Sequence, residues 1–298
     1  MAVVLRPWAD DDAPALEGLL RTMDDAMVVS AAGILHQRRG RPERGRIADV
    51  TAELDGEFAG AGIAGLETMS TTPGAGWALV GVLPERRRQG VGSAIAEELR
   101  RHLREIGATR ATSFFRWSEE GERWAAARSW ERILTGPLIA VDPRTIEASP
   151  PPAGTSCLPM SQVDPRAVFE STREAALDEP TPVPHDDFRF DDFLNDWRNP
   201  DLDLESSTAV VEDGRVVAFA YLNAVGDRAQ HGFTGTVRDR RGRGLATAAK
   251  RRTLCTAAAR GVTRVTTSNA EENAAMRAIN RRLGFEPIGE HVIFGCDL

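Results

Sequence analysis

Apolar positions along this chain form two kinds of run, and the two kinds alternate twice in the same order. Leu16, Leu19, Leu20 and Met23 recur at the interval of one helix face, and Asp10 to Asp12 offer caps for its start. Leu5 to Trp8 reads as the end of a strand, and the basic stretch 36–47 reads as a loop. From Ile47 to Leu66, apolar runs flank Asp55-Gly56, which predicts a hairpin with a two-residue turn. Trp77 to Val82 predicts another strand. Val91, Ile95, Leu99, Leu103 and Ile106 then predict a helix buried on one face, with Gly107 as its C-terminal cap. A strand over 109–115, a helix over 119–133 and a strand over 138–141 complete the first series.

Residues 142–156 contain Pro143, Pro150, Pro151, Pro152 and Gly154 and read as a linker. The series then recurs. A helix is expected over 164–177, a hairpin around Asp213-Gly214, a strand from Phe233 to Val237, a helix over 243–260, a strand over 262–268, a helix over 271–283 and a strand over 288–296. Arg252 interrupts the alanine-rich helix and leaves its buried face open. Residues 179–204 have no counterpart in the first series. They are acidic and aromatic, with Asp186, Asp187, Phe188, Phe190, Asp191, Asp192, Phe193 and Trp197. The expected partition is an N-terminal domain at 1–145, a linker at 146–156 and a C-terminal domain at 157–298.

Each series carries the same motif where a strand enters a helix. The first reads Val82-Leu83-Pro84-Glu85-Arg86-Arg87-Arg88-Gln89-Gly90-Val91-Gly92. The second reads Thr236-Val237-Arg238-Asp239-Arg240-Arg241-Gly242-Arg243-Gly244-Leu245-Ala246. Gly90 and Gly244 lie 154 residues apart, and Gly107 and Gly261 keep the same offset. Asp55-Gly56 and Asp213-Gly214 lie 158 apart, so only a loop between differs in length. A single Arg-x-x-Gly-x-Gly match is weak in an arginine-rich chain; two in register indicate a duplicated domain. Glycines at such a turn leave peptide N–H groups bare, and the positive end of the helix lies behind them. Together they make an anion site of diphosphate size.

Composition narrows the function classes. The chain has 298 residues, 42% hydrophobic and 27% charged, which suits two globular domains. A net charge of −7 argues against a general nucleic-acid binder. No apolar run reaches the ~18 residues of a membrane span. The first ten residues lack the basic flank and apolar core of a signal peptide, so a cytoplasmic location is expected. Cys157, Cys255 and Cys296 are scattered and odd in number, which suggests free thiols and no metal site. Lys250 is the only lysine and reads as the codon bias of a GC-rich genome.

The two cradles, Arg87 to Gly92 and Arg241 to Ala246, resemble those of the Gcn5-related N-acetyltransferase (GNAT) superfamily, here in tandem. The run Asn269, Asn273, Met276, Asn280, Gly284-Phe285 strengthens the likeness, which covers nearly the whole chain twice. It implies a mixed α/β fold: two tandem domains, each a mixed, mostly antiparallel sheet flanked by helices, with a splayed cofactor cleft. It also implies acetyl-CoA as co-substrate, no metal, and direct attack of an amine on the thioester. A small-molecule amine is the expected acceptor, with the protein a monomer or homodimer. The alternative is a CoA-binding regulatory protein without turnover.

The pantetheine arm is expected to pair with a splayed strand as an added strand would. Val80 and Val82 offer this in the first copy, and Thr234, Thr236 and Val237 in the second. Arg87, Arg88, Gln89, Gly90, Val91 and Gly92, and Arg241, Gly242, Arg243, Gly244, Leu245 and Ala246, are expected around the diphosphate. For any one arginine the competing reading is a solvated rim. The superfamily often places a tyrosine four residues before Gly-Phe, against the leaving thiolate. Here Asn280 holds that place before Gly284-Phe285, and Ala125 before Ser129-Trp130. Asn280 can donate a hydrogen bond but is no acid, and its alternative is a capping role. Asn273 is expected at the cofactor, or else as an ordinary surface residue. His231 is the candidate base, provided a bulge turns it from the face that strict alternation gives it; otherwise it is a core or solvent histidine. Tyr221 is expected to line the acceptor pocket or to pack the sheet. Gly76, aligned with Gln230, offers no polar group. Chemistry is therefore expected in the second copy, with the first catalytically degenerate.

Overall fold

The computed structural model describes residues 2–298. In chain order the first series gives β1 (Val3–Pro7), α1 (Ala13–Met23), α2 (Ala31–Arg39), β2 (Ala48–Leu54), β3 (Glu57–Leu66), β4 (Ala75–Val82), α3 (Val91–Glu105), β5 (Arg110–Arg116), α4 (Glu119–Ala126) and β6 (Glu131–Val141). The second gives β7 (Ser156–Pro159), α5 (Pro165–Ala176), α6 (Phe190–Trp197), β8 (Thr208–Glu212), β9 (Arg215–Val225), β10 (Arg228–Thr236), α7 (Leu245–Ala259), β11 (Arg264–Ser268), α8 (Ala274–Arg282) and β12 (Glu286–Asp297). Among the described residues no helix is long and apolar enough to cross a membrane.

Two compact units form. The N-terminal unit runs to Thr135 and also takes His291–Leu298; the C-terminal unit is Gly136–Glu290. This differs from the partition drawn around residues 146–156. The difference follows from strand pairing: His291 to Asp297 pair with Arg116 to Arg110 of β5, while Leu138 to Val141 pair with Ser268 to Val265 of β11. Each unit is thus completed by a strand segment encoded in the other series.

In the N-terminal unit the strand order is β1-β2-β3-β4-β5-β12, antiparallel except for the parallel pair β4·β5. Helix α3 buries Val91, Ile95, Leu99 and Leu103 against Val50, Ala52, Leu54 and Ala78. Each of those leucines and isoleucines contributes about 1.5–3 kcal/mol by leaving water. Beyond the last turn of α4, Phe115 stacks on Phe294 at 5.0 Å, and Ala125 and Val292 close that cluster.

In the C-terminal unit the order is β6-β11-β10-β9-β8-β7, with β10·β11 the parallel pair. Helix α7 turns Leu245, Ala249, Lys250, Thr253, Leu254 and Ala257 inward and leaves Arg252 exposed, which settles its buried face. Helices α5 and α6 pack through Phe169, ringed by Phe188, Phe190 and Phe193.

Several elements depart from the expected ones. The helix over 119–133 stops at Ala126 because Ser129 turns left-handed at φ 62° and the Trp130 N–H bonds back to Ala125 O. Gly284 does the same at φ 74°, and the Phe285 N–H bonds Asn280 O, so Ser-Trp and Gly-Phe close the same kind of turn. The basic stretch 36–47 begins inside α2, whose Ser30 cap accepts from the Gly33 N–H. Residues 179–204 are not wholly loop. Helix α6 buries Phe193 and Trp197, so the second series also has two helices before its hairpin.

Candidate active site

The geometry of a splayed cleft is present in both units. Strands β4 and β5 pair at Ala75↔Arg110, Gly76↔Ala111 and Trp77↔Thr112, then part. Strands β10 and β11 pair at Arg228↔Arg264, Ala229↔Val265 and Gln230↔Thr266, then part. Residues 78–82 and 231–236 therefore continue toward their cradles paired to one neighbour only. Peptide groups beyond the parting face the opening, which suits the amides of a pantetheine arm.

Both cradles end on a left-handed glycine that caps the helix without any side-chain acceptor, Gly90 at φ 86° and Gly244 at φ 77°. A Cβ built on either meets nothing within 4 Å, so the space over the first helical turn is open. Gly242 is left-handed at φ 76°, and Arg88 takes the corresponding position at φ 63°. Val91, Val237 and Leu245 are core side chains, so only their backbone can face a phosphate.

The cradle arginines have structural partners. Arg87 Nε donates to Val82 O at 3.4 Å and Arg241 Nε to Thr236 O at 3.2 Å, the same bond in each copy. Their outer nitrogens meet Glu120 at 2.9 Å and Asp178 at 2.7 Å. Asp178 also holds Arg238, and these two guanidinium groups keep its carboxyl far below the usual range. Arg243 and Arg240 likewise pull Glu212 down to about 2. In the C-terminal unit, then, the arginine heads anchor the loop while the backbone N–H groups and Gly242 and Gly244 remain to meet an anion.

Around the C-terminal parting lies a buried polar group. His231 donates from Nδ1 to Tyr221 O at 2.9 Å, and its Nε2 has no hydrogen-bond partner. The bulge does exist, between His231 and Thr234, but it follows His231, which stays paired with Leu222. Leu222 packs with Leu254 and Ala257 of α7, so His231 keeps the α7 side of the sheet. Burial, and then the nearby charge of Lys250, hold it well below the ordinary histidine range. Thr234 Oγ1 and Asn280 Oδ1 are also buried without partners. Asn280, 1% exposed, donates from Nδ2 to Asn269 Oδ1 at 2.6 Å. Asn273 caps α8, its side chain accepting from the Met276 N–H at 3.1 Å. Tyr221 meets Thr172 through its hydroxyl at 2.7 Å, and burial pushes its pKa up; it packs the sheet as a neutral group.

Lys250, whose rarity composition attributed to codon bias, proves to be an interior residue. It is 1% exposed, its ammonium lies 5.3 Å from the Phe285 ring centre, and burial brings its pKa down to about 7. Its isolation as the only lysine was the available signal; nothing in the helix spacing marked the position as interior, because Arg252 stands two residues on.

The N-terminal unit holds a cleft of about 1720 Å³, lined entirely by its own residues. Arg87, Arg88, Gly90 and Gly92 of the cradle stand in its wall, with Val80 and Val82 of the parted strand. Two further residues escaped the sequence. His291 and Asp24 bond within this unit at 2.7 Å, both buried. They are too far apart in sequence to be paired by pattern.

These features are those of an acyl-CoA transferase, and the family comparison agrees. The acetyltransferase (GNAT) family model matches residues 9–123 and 169–285, and the chain belongs to that family of acyltransferases. Its fold is similar to a GCN5-related N-acetyltransferase from Sphaerobacter thermophilus, at 20% identity and TM-score 0.73, covering 99% of this chain and 95% of that one. It is similar also to a tandem GNAT protein from the clavulanic acid biosynthesis pathway, at 22% identity and TM-score 0.76, covering 99% and 98%. No curated protein sequence matched.

Proposed function

We propose that the protein transfers an acetyl group from acetyl-CoA to a small-molecule amine by direct attack on the thioester, without a metal. The observation that carries this is the doubled cleft: strands that part beside a glycine-capped helix start, with open space above the cap. A diphosphate fits there because the first-turn N–H groups have no side-chain acceptor and the helix dipole favours an anion. Bound in this way, CoA supplies an activated acyl group; the protein supplies position. Holding amine and thioester together accounts for much of the rate in such a reaction.

In the C-terminal unit, where the sequence leads chemistry to be expected, the Thr234 hydroxyl is the buried group free to donate to a thioester oxygen, while His231 Nε2 and Asn280 Oδ1 are acceptors that can only orient an N–H. Neither residue named there for catalysis exchanges a proton near neutral pH: His231 is held neutral, and an amide is no acid or base. That favours a second reading for this unit, in which it holds acyl-CoA without turning it over.

Calorimetry with acetyl-CoA, beside thiol release with a panel of amines, tests the proposal. Gly90→Asp and Gly244→Asp each place a carboxylate over a helix start at a left-handed position. Each is expected to weaken its own cradle on the order of 100-fold, since like charges in contact cost several kcal/mol. Turnover followed in the two variants tells which cradle feeds the reaction. A wild-type chain that gives neither heat with acetyl-CoA nor thiol with any amine overturns the proposal.

A further inference from the structure

The two copies differ on the sheet face that turns toward α1 in the first unit and α5 in the second. A Cβ built on Gly81 would meet Met23 and Leu19 of α1, and one on Gly235 would meet Ala175 of α5 and Phe219, so these glycines mark that face in each copy. Gly81 pairs with Ala61 and Leu79 with Ile63, while Gly235 pairs with Phe219. Ala61, Ile63 and Leu79 therefore share the face with Gly81. The offsets of the duplication set Ala61 against Phe219, Ile63 against Tyr221 and Leu79 against Phe233. In the C-terminal unit these three aromatics close on one another. The Tyr221 and Phe233 ring centres lie 5.3 and 5.4 Å from that of Phe219, and the group packs with Phe169 of α5. The first copy puts smaller side chains at all three places.

The space they leave belongs to the 1720 Å³ cleft. Ala61, Ile63 and Leu79 line it from the sheet, and Leu16, Leu20, Met23, Met27 and Ile34 line it from the helical side. All of these but Ala61 are half-buried, so each keeps apolar surface to offer a ligand. The same cleft carries Gly90 and Gly92 of the cradle and Val80 and Val82 of the parted strand. It exceeds the ~300–1,000 Å³ that encloses a drug-sized ligand, so an acetyl group would leave much of it empty. The charged side chains in its wall on the α1 face are already matched. Arg41 pairs with Asp49, Asp24 meets His291 at 2.7 Å, and Arg116 pairs with Asp25. What this chamber presents to an occupant is aliphatic and thioether surface, and thioethers adapt to a flexible chain.

We propose that the N-terminal unit takes a straight-chain acyl-CoA of medium length, octanoyl rather than acetyl, with its acyl chain seated in the chamber between the sheet and α1–α2. This rests on the acyl-CoA reading above and extends it to the class of acyl group. The Gly90 cradle takes the diphosphate, the strand over 78–82 takes the pantetheine arm, and the chamber beyond the parting of β4 and β5 takes the chain. The C-terminal unit has no such preference, because Phe219, Tyr221 and Phe233 occupy the corresponding place.

Calorimetry on the full chain with free CoA, acetyl-CoA and octanoyl-CoA tests this. Octanoyl-CoA is expected to bind at least about 100-fold more tightly than acetyl-CoA, because each methylene that leaves water adds to affinity. Gly90→Asp should abolish that preference. Leu79→Phe and Ala61→Phe give the first copy the side chains of the second, and each should weaken octanoyl-CoA binding about tenfold or more by filling the chamber. Leu20→Gln, on the helical wall, should act in the same direction and serves if the strand variants fold poorly. Equal affinity for acetyl- and octanoyl-CoA overturns the proposal. So does a preference that survives in folded Gly90→Asp, or in both Leu79→Phe and Leu20→Gln. Thiol release from acetyl-CoA with octylamine, in a chain that shows no octanoyl preference, gives the chamber to the acceptor and overturns it as well. No heat with any of the three CoA ligands instead sinks the acyl-CoA reading beneath it.

Discussion

Lys250→Met is expected to stabilise the protein at pH 7 by roughly 4 kcal/mol, since a shift from 10.5 to about 7 is that large in free energy. The sign follows from proton counting. Between pH 7 and 10.5 the unfolded chain holds a proton on this amine and the folded chain does not, so stability rises with pH through that window. Below pH 7 both states are protonated and the full penalty of a buried charge is felt. Above 10.5 both are neutral and the penalty is gone. The wild type should therefore gain stability on going from pH 7 to 10, and Lys250→Met should remove that gain while lifting the neutral-pH value. Phe285 offers the ammonium a ring face, which offsets about 1 kcal/mol of the cost. Urea unfolding at pH 7 and pH 10 on both proteins measures this directly. A variant less stable than wild type at neutral pH would show that the amine is not the liability its burial indicates.

The same residue shows where sequence reading stops. Periodicity located α3 because Val91, Ile95, Leu99 and Leu103 mark one face and its outer positions are charged. It failed on α7, where alanines make every face look alike and a buried lysine sits two residues before an exposed arginine. The cradles were legible because a left-handed turn leaves a glycine signature, and the duplication was legible because both copies keep one offset. The parting of β4 from β5 and of β10 from β11 was expected from the resemblance, while the pairing that shows it is a property of register. Helix α6 was obscured by its acidic face, although Phe193 and Trp197 lie at helical spacing. Arg87 and Arg241 were sought at the phosphates, yet their Nε groups hold the strand carbonyls of Val82 and Thr236. The His291–Asp24 pair was beyond reach for a different reason. Local pattern assigns a strand its type and its inner face, but not which of two like sheets it joins. The proline-rich stretch 142–156 looked like a boundary, and composition there carries no record of strands that have changed units.

That exchange makes the second large prediction. Ending the chain at Glu290 should unfold the N-terminal unit, although every removed residue belongs to the second series. The lost segment pairs with all of β5 and places Val292, Phe294 and Cys296 in the interior. Phe294 alone, stacked on Phe115, is worth about 3–5 kcal/mol when cut to alanine. With a domain's total stability only about 5–15 kcal/mol, loss of the whole strand exceeds what the remainder can absorb. The complementary cut, a fragment of residues 1–145, fails for the same reason and also carries Leu138–Val141 away from β11. Hydrogen exchange distinguishes this from independent, contiguous domains. In Phe294→Ala, protection should fall first in β5 and α4, which pack against the lost ring, while β8 and β9 keep theirs. A fragment 1–145 that folds cooperatively with native protection in β5 would refute the strand exchange.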